Sequence, residues 1–503
     1  MAFCLTAQNL VIIGTNDTHS QIDPDDTDNM GGVLRRKVVI DSIRAANTNT
    51  LLIDMGDAVQ GTMYFNLFGG EVENMVMNNL QYDIRILGNH DFDNGVDSMA
   101  HNLKKSSSEL ISTNYRFSDR DLAKLFKPYI IRNIDGKKVA FLGINLQPKG
   151  MISEGNYDGV EYLDAIKAAN STAWHLKHNE GIDKVIALTH IGYSPTGTGT
   201  SDIELAALSQ DIDLIMGGHS HTVVNPDLPA NPWLIPSEVP SRLVPVTQAG
   251  KAGKYVAVVN MDLATDSVSY EIIPITDRYD IAIDKNLDSL IQPYREQVDK
   301  IMNEPVGQTA VEFQKDSPQL LNLVADFIRD RAAQNVDQVD FAIINKGGIR
   351  RGLPKGTITR GQIQSMLPFN NKIVVMEISG KDLLENFKIM AASGGNGLSD
   401  EITVYYPVDV DKNAVDVDKN AQNDDEIFAI LNGKKLSPDE IYKVVTIDYL
   451  ANGGDYMTPL TNGKWIWQSD KKMYDDLLYM LTEGAYKNLI LSPSDKVERM
   501  IAK

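Results

Sequence analysis

Between Asp83 and Gly95 the chain reads "DIRILGNHDFDNG". A short apolar run ends at Leu87, and an amide, an imidazole and two carboxylates follow within six residues: Asn89, His90, Asp91 and Asp93. Such groups are costly at the end of a core strand unless they are paired, so the stretch is either a turn or a site. The same event recurs in "NLVIIGTNDTH" from Asn9, "TLLIDMGDAVQG" from Thr50, "KVIALTHIGY" from Lys184 and "DLIMGGHSHT" from Asp213. Continuous apolar runs of this length predict strands buried on both faces. Helix-like stretches lie between several of them, such as "GGVLRRKVVIDSIRAAN" from Gly31 and "DAIKAANSTAWHLKHN" from Asp164. Alternation of the two kinds predicts an α/β layered fold with its polar loops gathered at one edge of a sheet. "IRNIDGKKVAFLGI" adds a hairpin through Asp135-Gly136.

Five of the eight histidines fall in those polar tails: His19, His90, His190, His219 and His221. His101, His175 and His178 do not, and read as ordinary surface or packing residues. Asp17 and His19 flank Thr18, so on an extended segment both point the same way, and His219 and His221 repeat the spacing. Asp57 lies centrally enough to bridge two ions. Asn89 offers a carbonyl oxygen and His190 a ring nitrogen. Carboxylate, amide oxygen and imidazole together suit zinc, manganese, iron or cobalt rather than calcium alone. Seven donors sharing one carboxylate exceed one tetrahedral site and match a pair of divalent ions.

At 503 residues the chain exceeds one ordinary core, and two domains are expected. A hydrophobic fraction of 43% with 23% charged residues describes a globular protein. The net charge of −20 argues against binding a nucleic-acid polymer, which needs basic residues to displace counterions. An acidic protein that handles an anionic ligand needs local positive charge, and metal ions supply it. The single cysteine, Cys4, excludes an intrachain disulfide. No apolar run reaches the length of a membrane span. The opening "MAFCLTAQN" lacks a basic n-region and a full h-region, and is read either as the remnant of a trimmed signal peptide or as ordinary sequence.

Leu287, Leu290, Ile291, Tyr294, Val298 and Ile301 share one helical face, with Pro293 starting or kinking that helix. The expected division is 1–285, a connecting helix at 286–303, and a second α/β region at 304–503. "VDVDKNA", repeated from Val408 and Val415, reads as an acidic hairpin.

"NDTH", "GD", "GNHDFD", "TH" and "GGHSH", in this order and spacing, resemble the calcineurin-like metallophosphoesterases. The "GNHDFD" form and the second half together resemble the 5′-nucleotidase family over nearly the whole chain. The resemblance implies a four-layer α/β/β/α sandwich followed by a smaller α/β substrate-binding domain. It implies one ion on Asp17, His19, Asp57 and His221, and a second on Asp57, Asn89, His190 and His219. His221 stands where several nucleotidases carry Gln or Asn. His90 is implied to act on the phosphate, with Asp93 as its carboxylate partner favouring the imidazolium. Asp91 is read as a bystander at the turn.

In the second half, "INKGGIRRG" resembles the segment whose Asn and Arg contact substrate, here Asn345 and Arg350. "LPFNN" supplies Phe369 and Asn371, and "DYLANGGD" supplies Tyr449 and Asp455. The family sandwiches a nucleobase between two aromatics at these places and binds the sugar with the carboxylate; on the residues alone, ordinary core aromatics are the alternative reading of Phe369 and Tyr449. Lys315 and Asp316 stand where some members have a further arginine. The implied activity is metal-dependent hydrolysis of nucleoside 5′-monophosphates by a two-metal-activated water. A UDP-sugar hydrolase or 2′,3′-cyclic-nucleotide phosphodiesterase shares the scaffold, and a non-catalytic nucleotide-binding surface protein is the reading from another class. The family implies a periplasmic, secreted or cell-surface location.

Overall fold

A computed structural model describes residues 9–25, 28–153, 155–194, 200–228, 230–369, 371–407 and 427–503. The repeated "VDVDKNA" lies outside the described residues. The chain divides into two compact units, Met1–Val298 and Asp299–Lys503.

In the first unit the elements that frame the site begin with β1 (Asn9–Thr15), α1 (Val33–Ala46), β2 (Thr50–Asp54), α2 (Glu71–Leu80) and β3 (Ile84–Arg85). Strands β4 (Glu109–Ile111), β5 (Phe126–Lys127), β6 (Tyr129–Ile134) and β7 (Lys137–Asn145) come next. Then come α3 (Ala165–His178), β8 (Lys184–His190), α4 (Asp202–Leu208), β9 (Leu214–Met216), β10 (Leu234–Pro236) and β11 (Leu243–Thr247). β12 (Tyr255–Asp262) and β13 (Val268–Pro274) follow, and α5 (Lys285–Met302) begins in this unit and ends past its boundary at Val298.

These strands make two sheets, not one. The first runs β13-β12-β1-β2-β3-β4-β5 and the second β10-β11-β9-β8-β7-β6. Within the first, β1 to β5 are parallel, and within the second β7, β8, β9 and β11 are parallel. Side chains alternate across a strand, and β1 uses both faces. Leu10 and Ile12 join a core shared with Phe141, Leu142, Ile186 and Ile215 of the second sheet. Val11 and Ile13 pack the opposite way, with Val39 and Ile40 of α1 and Val76 and Leu80 of α2. On the far side of the second sheet, Ala165, Ala169, Ala173 and Leu176 form the buried stripe of α3, which packs against β7 and β8. The layers are therefore helix, sheet, sheet, helix. Asp164 starts α3 by accepting from the Lys167 amide at 2.9 Å.

The expected hairpin joins β6 to β7, with φ of 50° at Asp135 and 89° at Gly136, as a primed two-residue turn requires. Helix α5 runs through Pro293 and does not start there; Leu287 and Ile291 bury against the outer core of the first unit.

The second unit is built on a five-stranded sheet. Its order is Gly397–Leu398, Phe341–Ile344, Ile441–Ile447, Ile373–Ser379, Lys464–Gln468. The Pro318–Ala333 helix supplies Leu320, Val324 and Phe327 to its core, and the Gly380–Ala392 helix supplies Leu383 and Phe387. Arg499 holds the C-terminal segment down. Its buried guanidinium donates to both Asp326 oxygens at 2.7 and 3.0 Å and to the Leu398 carbonyl at 2.6 Å.

Candidate functional site

Parallel strands bring their carboxyl ends to one edge, and ligands gather there in open α/β sheets. Here two sheets contribute. Asp17 and His19 follow β1, Asp57 follows β2, and Asn89 and His90 follow β3. From the second sheet, His190 is the last residue of β8, and His219 and His221 follow β9.

The expectation of extended Asp17–His19 and His219–His221 segments is not met. φ is 50° at Asp17, 49° at His19, 80° at His219 and 56° at His221, and Asp57 joins them at 54°. Left-handed backbone costs on the order of 1 kcal/mol for each such residue and persists where surrounding structure over-determines it. The amides of Asp17, His19 and Ser20 donate to the carbonyls of Gly56, Asp57 and Ala58, each at 3.0 Å. The two turns thus lock each other.

The donors fall into two clusters, Asp17-His19-His221 and Asp57-His190-His219. In the first, the Nε2 atoms of His19 and His221 approach to 3.0 Å, and Asp17 Oδ1 lies 3.8 and 3.5 Å from them. In the second, His190 Nε2 lies 3.1 Å from Asp57 Oδ2, and His219 Nδ1 lies 2.9 Å from Asn89 Oδ1. Donors on a tetrahedral ion with bonds of about 2.0–2.2 Å sit about 3.4 Å apart, so both clusters have the spacing of a filled coordination sphere. His190 Nε2 also lies 4.0 Å from Asp17 Oδ1, which ties the clusters together.

The electrostatics agree. His190 Nδ1 lies 2.7 Å from the Met55 carbonyl, the geometry of a ring N–H donor. Its Nε2 is buried and faces the carboxylates of Asp57 and Asp17. A hydrogen bond from the other ring nitrogen fixes the tautomer of a metal-binding imidazole. Burial opposes protonation of His190, yet the charges of Asp57 and Asp17 prevail and push it up to about 10. The pocket demands a cation beside those carboxylates, a role a divalent ion fills in place of the proton. His219 is pushed down to about 4 by burial and the neighbouring His190 charge, which leaves it a neutral donor. Despite burial, His190 and His90 hold the Asp57 carboxyl well below its usual range. The residues present fit a pair of divalent ions.

His90 stands beside the clusters, its side chain one-third exposed and its Nδ1 3.0 Å from Asp93 Oδ2. Burial opposes its charge, but Asp57 and the Asp93 hydrogen bond push it up to about 9. Asp91 is no bystander. Its Oδ2 accepts from the amides of Gly88 at 2.7 Å and Asp57 at 3.3 Å, while Asp57 Oδ1 accepts from the His90 amide at 2.8 Å. The turns after β2 and β3 therefore exchange carboxylates. Gln248, at the end of β11, was not singled out either. Its Oε1 accepts from the Thr222 amide at 2.5 Å and the Ser220 hydroxyl at 3.0 Å, and its Nε2 donates to the Gly218 carbonyl at 2.8 Å. It braces the loop carrying His219 and His221. His175 and His178 stay on the surface, beside Glu180 and Asp211.

In the second unit the predicted residues form two groups. Asp455 accepts from Asn345 Nδ2 at 2.6 Å and from the Tyr449 hydroxyl at 2.9 Å. The Arg350 guanidinium lies 5.2 Å from the centre of the Phe369 ring. Tyr449 is 46% exposed, so it is not a core aromatic. Tyr456, which sequence reasoning passed over, stands beside it in the chain turn at 74% exposure. Asn371 uses its backbone carbonyl to accept from the Met473 amide at 2.7 Å, and no side-chain hydrogen bond joins it to either group among the described residues.

Two family signatures match the chain. The calcineurin-like phosphoesterase domain covers residues 10–223, and the 5′-nucleotidase C-terminal domain covers residues 300–462. The chain joins a calcineurin-like phosphoesterase domain to a 5′-nucleotidase C-terminal domain. The human 5′-nucleotidase is 28% identical over 490 residues, covering 89% of this chain and 84% of that protein. The Bacillus subtilis trifunctional nucleotide phosphoesterase YfkN is 26% identical over 97% of this chain, which spans only 35% of that protein's length. Among solved structures, a 5′-nucleotidase precursor from Thermus thermophilus superimposes with a TM-score of 0.74 at 26% identity, covering 98% of this chain and 99% of that one. No helix among the described residues is long and apolar enough to cross a membrane.

Proposed function

We propose that the protein hydrolyses nucleoside 5′-monophosphates to nucleoside and phosphate with the help of two divalent ions, zinc or manganese first and iron or cobalt as alternatives. The observation that carries this reading is the pair of donor clusters at the sheet edges with an imidazole–carboxylate pair beside them. Asp17, His19 and His221 would hold one ion, Asn89, His190 and His219 the other, with Asp57 shared. Such ions supply the acidity that makes water a nucleophile near neutral pH and the charge that offsets the phosphoryl oxygens. The remaining work belongs to side chains. His90, protonated and oriented by Asp93, donates a hydrogen bond to a phosphoryl oxygen and stabilises charge on the departing sugar oxygen. In the second unit, Phe369 and Tyr449 stack the base, Asp455 takes sugar hydroxyls, and Asn345, Arg350 and Asn371 complete the substrate contacts. Stacking tolerates different bases, which suits a broad nucleotidase.

The relative named as a trifunctional nucleotide phosphoesterase supports a second reading within the same chemistry, a UDP-sugar hydrolase or a 2′,3′-cyclic-nucleotide phosphodiesterase. The precursor form of one relative supports export to the periplasm, the medium or the cell surface. Phosphate release from a panel of 5′-mononucleotides, UDP-glucose and 2′,3′-cyclic AMP tests the assignment, run with chelator and with each metal added back. Release from 5′-mononucleotides that stops with chelator and returns with zinc or manganese supports it. Turnover of cyclic nucleotide without AMP hydrolysis displaces it in favour of the second reading.

A further inference from the structure

In the second unit a tyrosine hydroxyl touches the carboxylate that the proposed function gives to the sugar. Tyr449 follows the Ile441–Ile447 strand, in the short Asp448–Ala451 helix. Its hydroxyl donates to Asp455 Oδ1 at 2.9 Å and accepts from the Asp455 amide at 3.3 Å. Burial and the Asp455 carboxylate push that hydroxyl above its usual range, so it stays a donor at neutral pH. Asn345, buried just past the Phe341–Ile344 strand, donates from Nδ2 to Asp455 Oδ2 at 2.6 Å. The Tyr449 ring lies against Gly454, where a Cβ would meet its Cε1 and Cζ at 2.5 Å. Asp455 is held at φ 52° and ψ 35°, a left-handed conformation uncommon outside glycine. Such strain persists where neighbours over-determine the backbone, and the bond from the Asp455 amide to Tyr449 is one of those constraints.

A carboxylate offers about four acceptor positions, two on each oxygen. Each Asp455 oxygen has one side-chain donor, and Asp455 is exposed, so each keeps a position for a ligand. Two oxygens on one carbon, each with an open position, match two hydroxyls on adjacent carbons. Ribose presents such a pair at C2′ and C3′, whereas 2′-deoxyribose presents one hydroxyl. The two donors also fix the plane of the carboxylate before substrate arrives, which spares the ligand that ordering cost. Tyr449→Phe keeps the ring and its face for stacking and loses both bonds to Asp455.

We propose that the Tyr449 hydroxyl is a positioning group that sets the Asp455 carboxylate to accept both sugar hydroxyls, and so makes the protein prefer ribonucleotides to 2′-deoxyribonucleotides. This deepens the nucleotidase reading above and rests on it. Stacking by the same ring is a separate contribution, because the base is the same on either sugar.

AMP and 2′-deoxy-AMP share base and phosphate, so the ratio of their kcat/KM values isolates the sugar. Both are measured with added Mn²⁺ on wild type and Tyr449→Phe. Wild type is expected to favour AMP about tenfold or more, the worth of one hydrogen bond to a charged acceptor. In Tyr449→Phe the ratio is expected to fall about threefold or more, the low end for one lost hydrogen bond. The fall should come from a higher KM for AMP and not from a lower kcat. A general loss of packing would lower both substrates together and leave the ratio where it was. Equal wild-type rates on the two nucleotides overturn the sugar preference, and Tyr449→Phe with the wild-type ratio overturns the role of the hydroxyl. In both cases the hydrolysis itself upholds the nucleotidase reading. Wild type that hydrolyses neither nucleotide defeats that reading and the proposal with it. Should Tyr449→Phe not fold, a crystal of wild type with adenosine decides. Asp455 accepting from both sugar hydroxyls with the Tyr449 hydroxyl still in place upholds the proposal, and a sugar that displaces that hydroxyl overturns it.

Discussion

Gly88 is where the site tolerates least. A Cβ built on it lies 2.5 Å from the backbone nitrogen of Asp57 and 2.6 Å from its Cγ, and closer still to Oδ1. Carbon atoms rest at about 3.5 Å, so Gly88→Ala requires Asp57 or the β3 turn to move by about 1 Å. Asp57 cannot yield easily. Its Oδ1 accepts from the His90 amide at 2.8 Å, its carbonyl accepts from the His19 amide at 3.0 Å, and its own amide is held by Asp91 at 3.3 Å. Displacing a positioned group by 1 Å costs about a hundredfold in rate, which corresponds to about 2.7 kcal/mol of barrier. The same overlap is worth about 1–3 kcal/mol of stability as overpacking. The assay pairs thermal melting with phosphate release from AMP and metal content by mass spectrometry. The expected variant is folded, melts lower, falls about a hundredfold in kcat/KM and holds fewer than two ions per chain. Wild-type kcat/KM with two ions retained would refute the reasoning, because Asp57 would then not be confined by that turn.

Other outcomes follow from the same geometry. His90→Ala is expected to slow turnover by about 10²–10⁴ while both ions stay bound; a halved metal content would mark His90 as a ligand instead. Phe369→Ala and Tyr449→Ala each remove stacking worth about 1–3 kcal/mol, so KM for AMP should rise while hydrolysis of a phosphate ester without a base is unchanged. Equal loss on both substrates contradicts the base-stacking role. Asp54 is fully buried between Thr15 and Gly56, and burial pushes its carboxyl up to about 7 against the nearby Arg85 charge. Since the folded pKa exceeds the unfolded value near 3.8, the folded chain binds the extra proton between about pH 4 and pH 7. This group's contribution is therefore fully present below pH 4, declines as pH rises through that window and is flat above it, by on the order of 4 kcal/mol. Urea unfolding of wild type and Asp54→Asn across pH 4 to 8 reads this out; the same slope in both proteins contradicts it.

The metal donors were legible because each terminates an apolar run, and a carboxylate or imidazole in that place has few structural uses. What the strands do as a group was less legible. An apolar run announces a buried strand without naming its sheet, so the split of the donors between the β1–β3 edge and the β8–β9 edge needed coordinates. The left-handed backbone at Asp17, His19, His219 and His221 was hidden for a related reason. A spacing of two residues looks the same in an extended segment and in a tight turn; what distinguishes them is bonding the sequence does not show, from the Asp17 and His19 amides to the carbonyls of Gly56 and Asp57 and from the His219 amide to the Asp17 carboxylate. Asp91 was misread because its partners, the amides of Gly88 and Asp57, are backbone groups, which no side-chain pattern reveals. Gln248 escaped notice because it lies outside every motif and acts on a loop some thirty residues away. In the second unit, Tyr449 was ambiguous because an aromatic beside an apolar strand can be core as well as platform; only its 46% exposure decides between them.

The central claim is that the ends of two stacked sheets cage a pair of ions with Asp57 between them. Anomalous diffraction from crystals grown with manganese tests this most directly. Two peaks are expected, about 3.5–4 Å apart, one beside Asp17, His19 and His221 and the other beside Asn89, His190 and His219, with the Asp57 carboxylate touching both. A single peak, or peaks away from these side chains, would contradict the account.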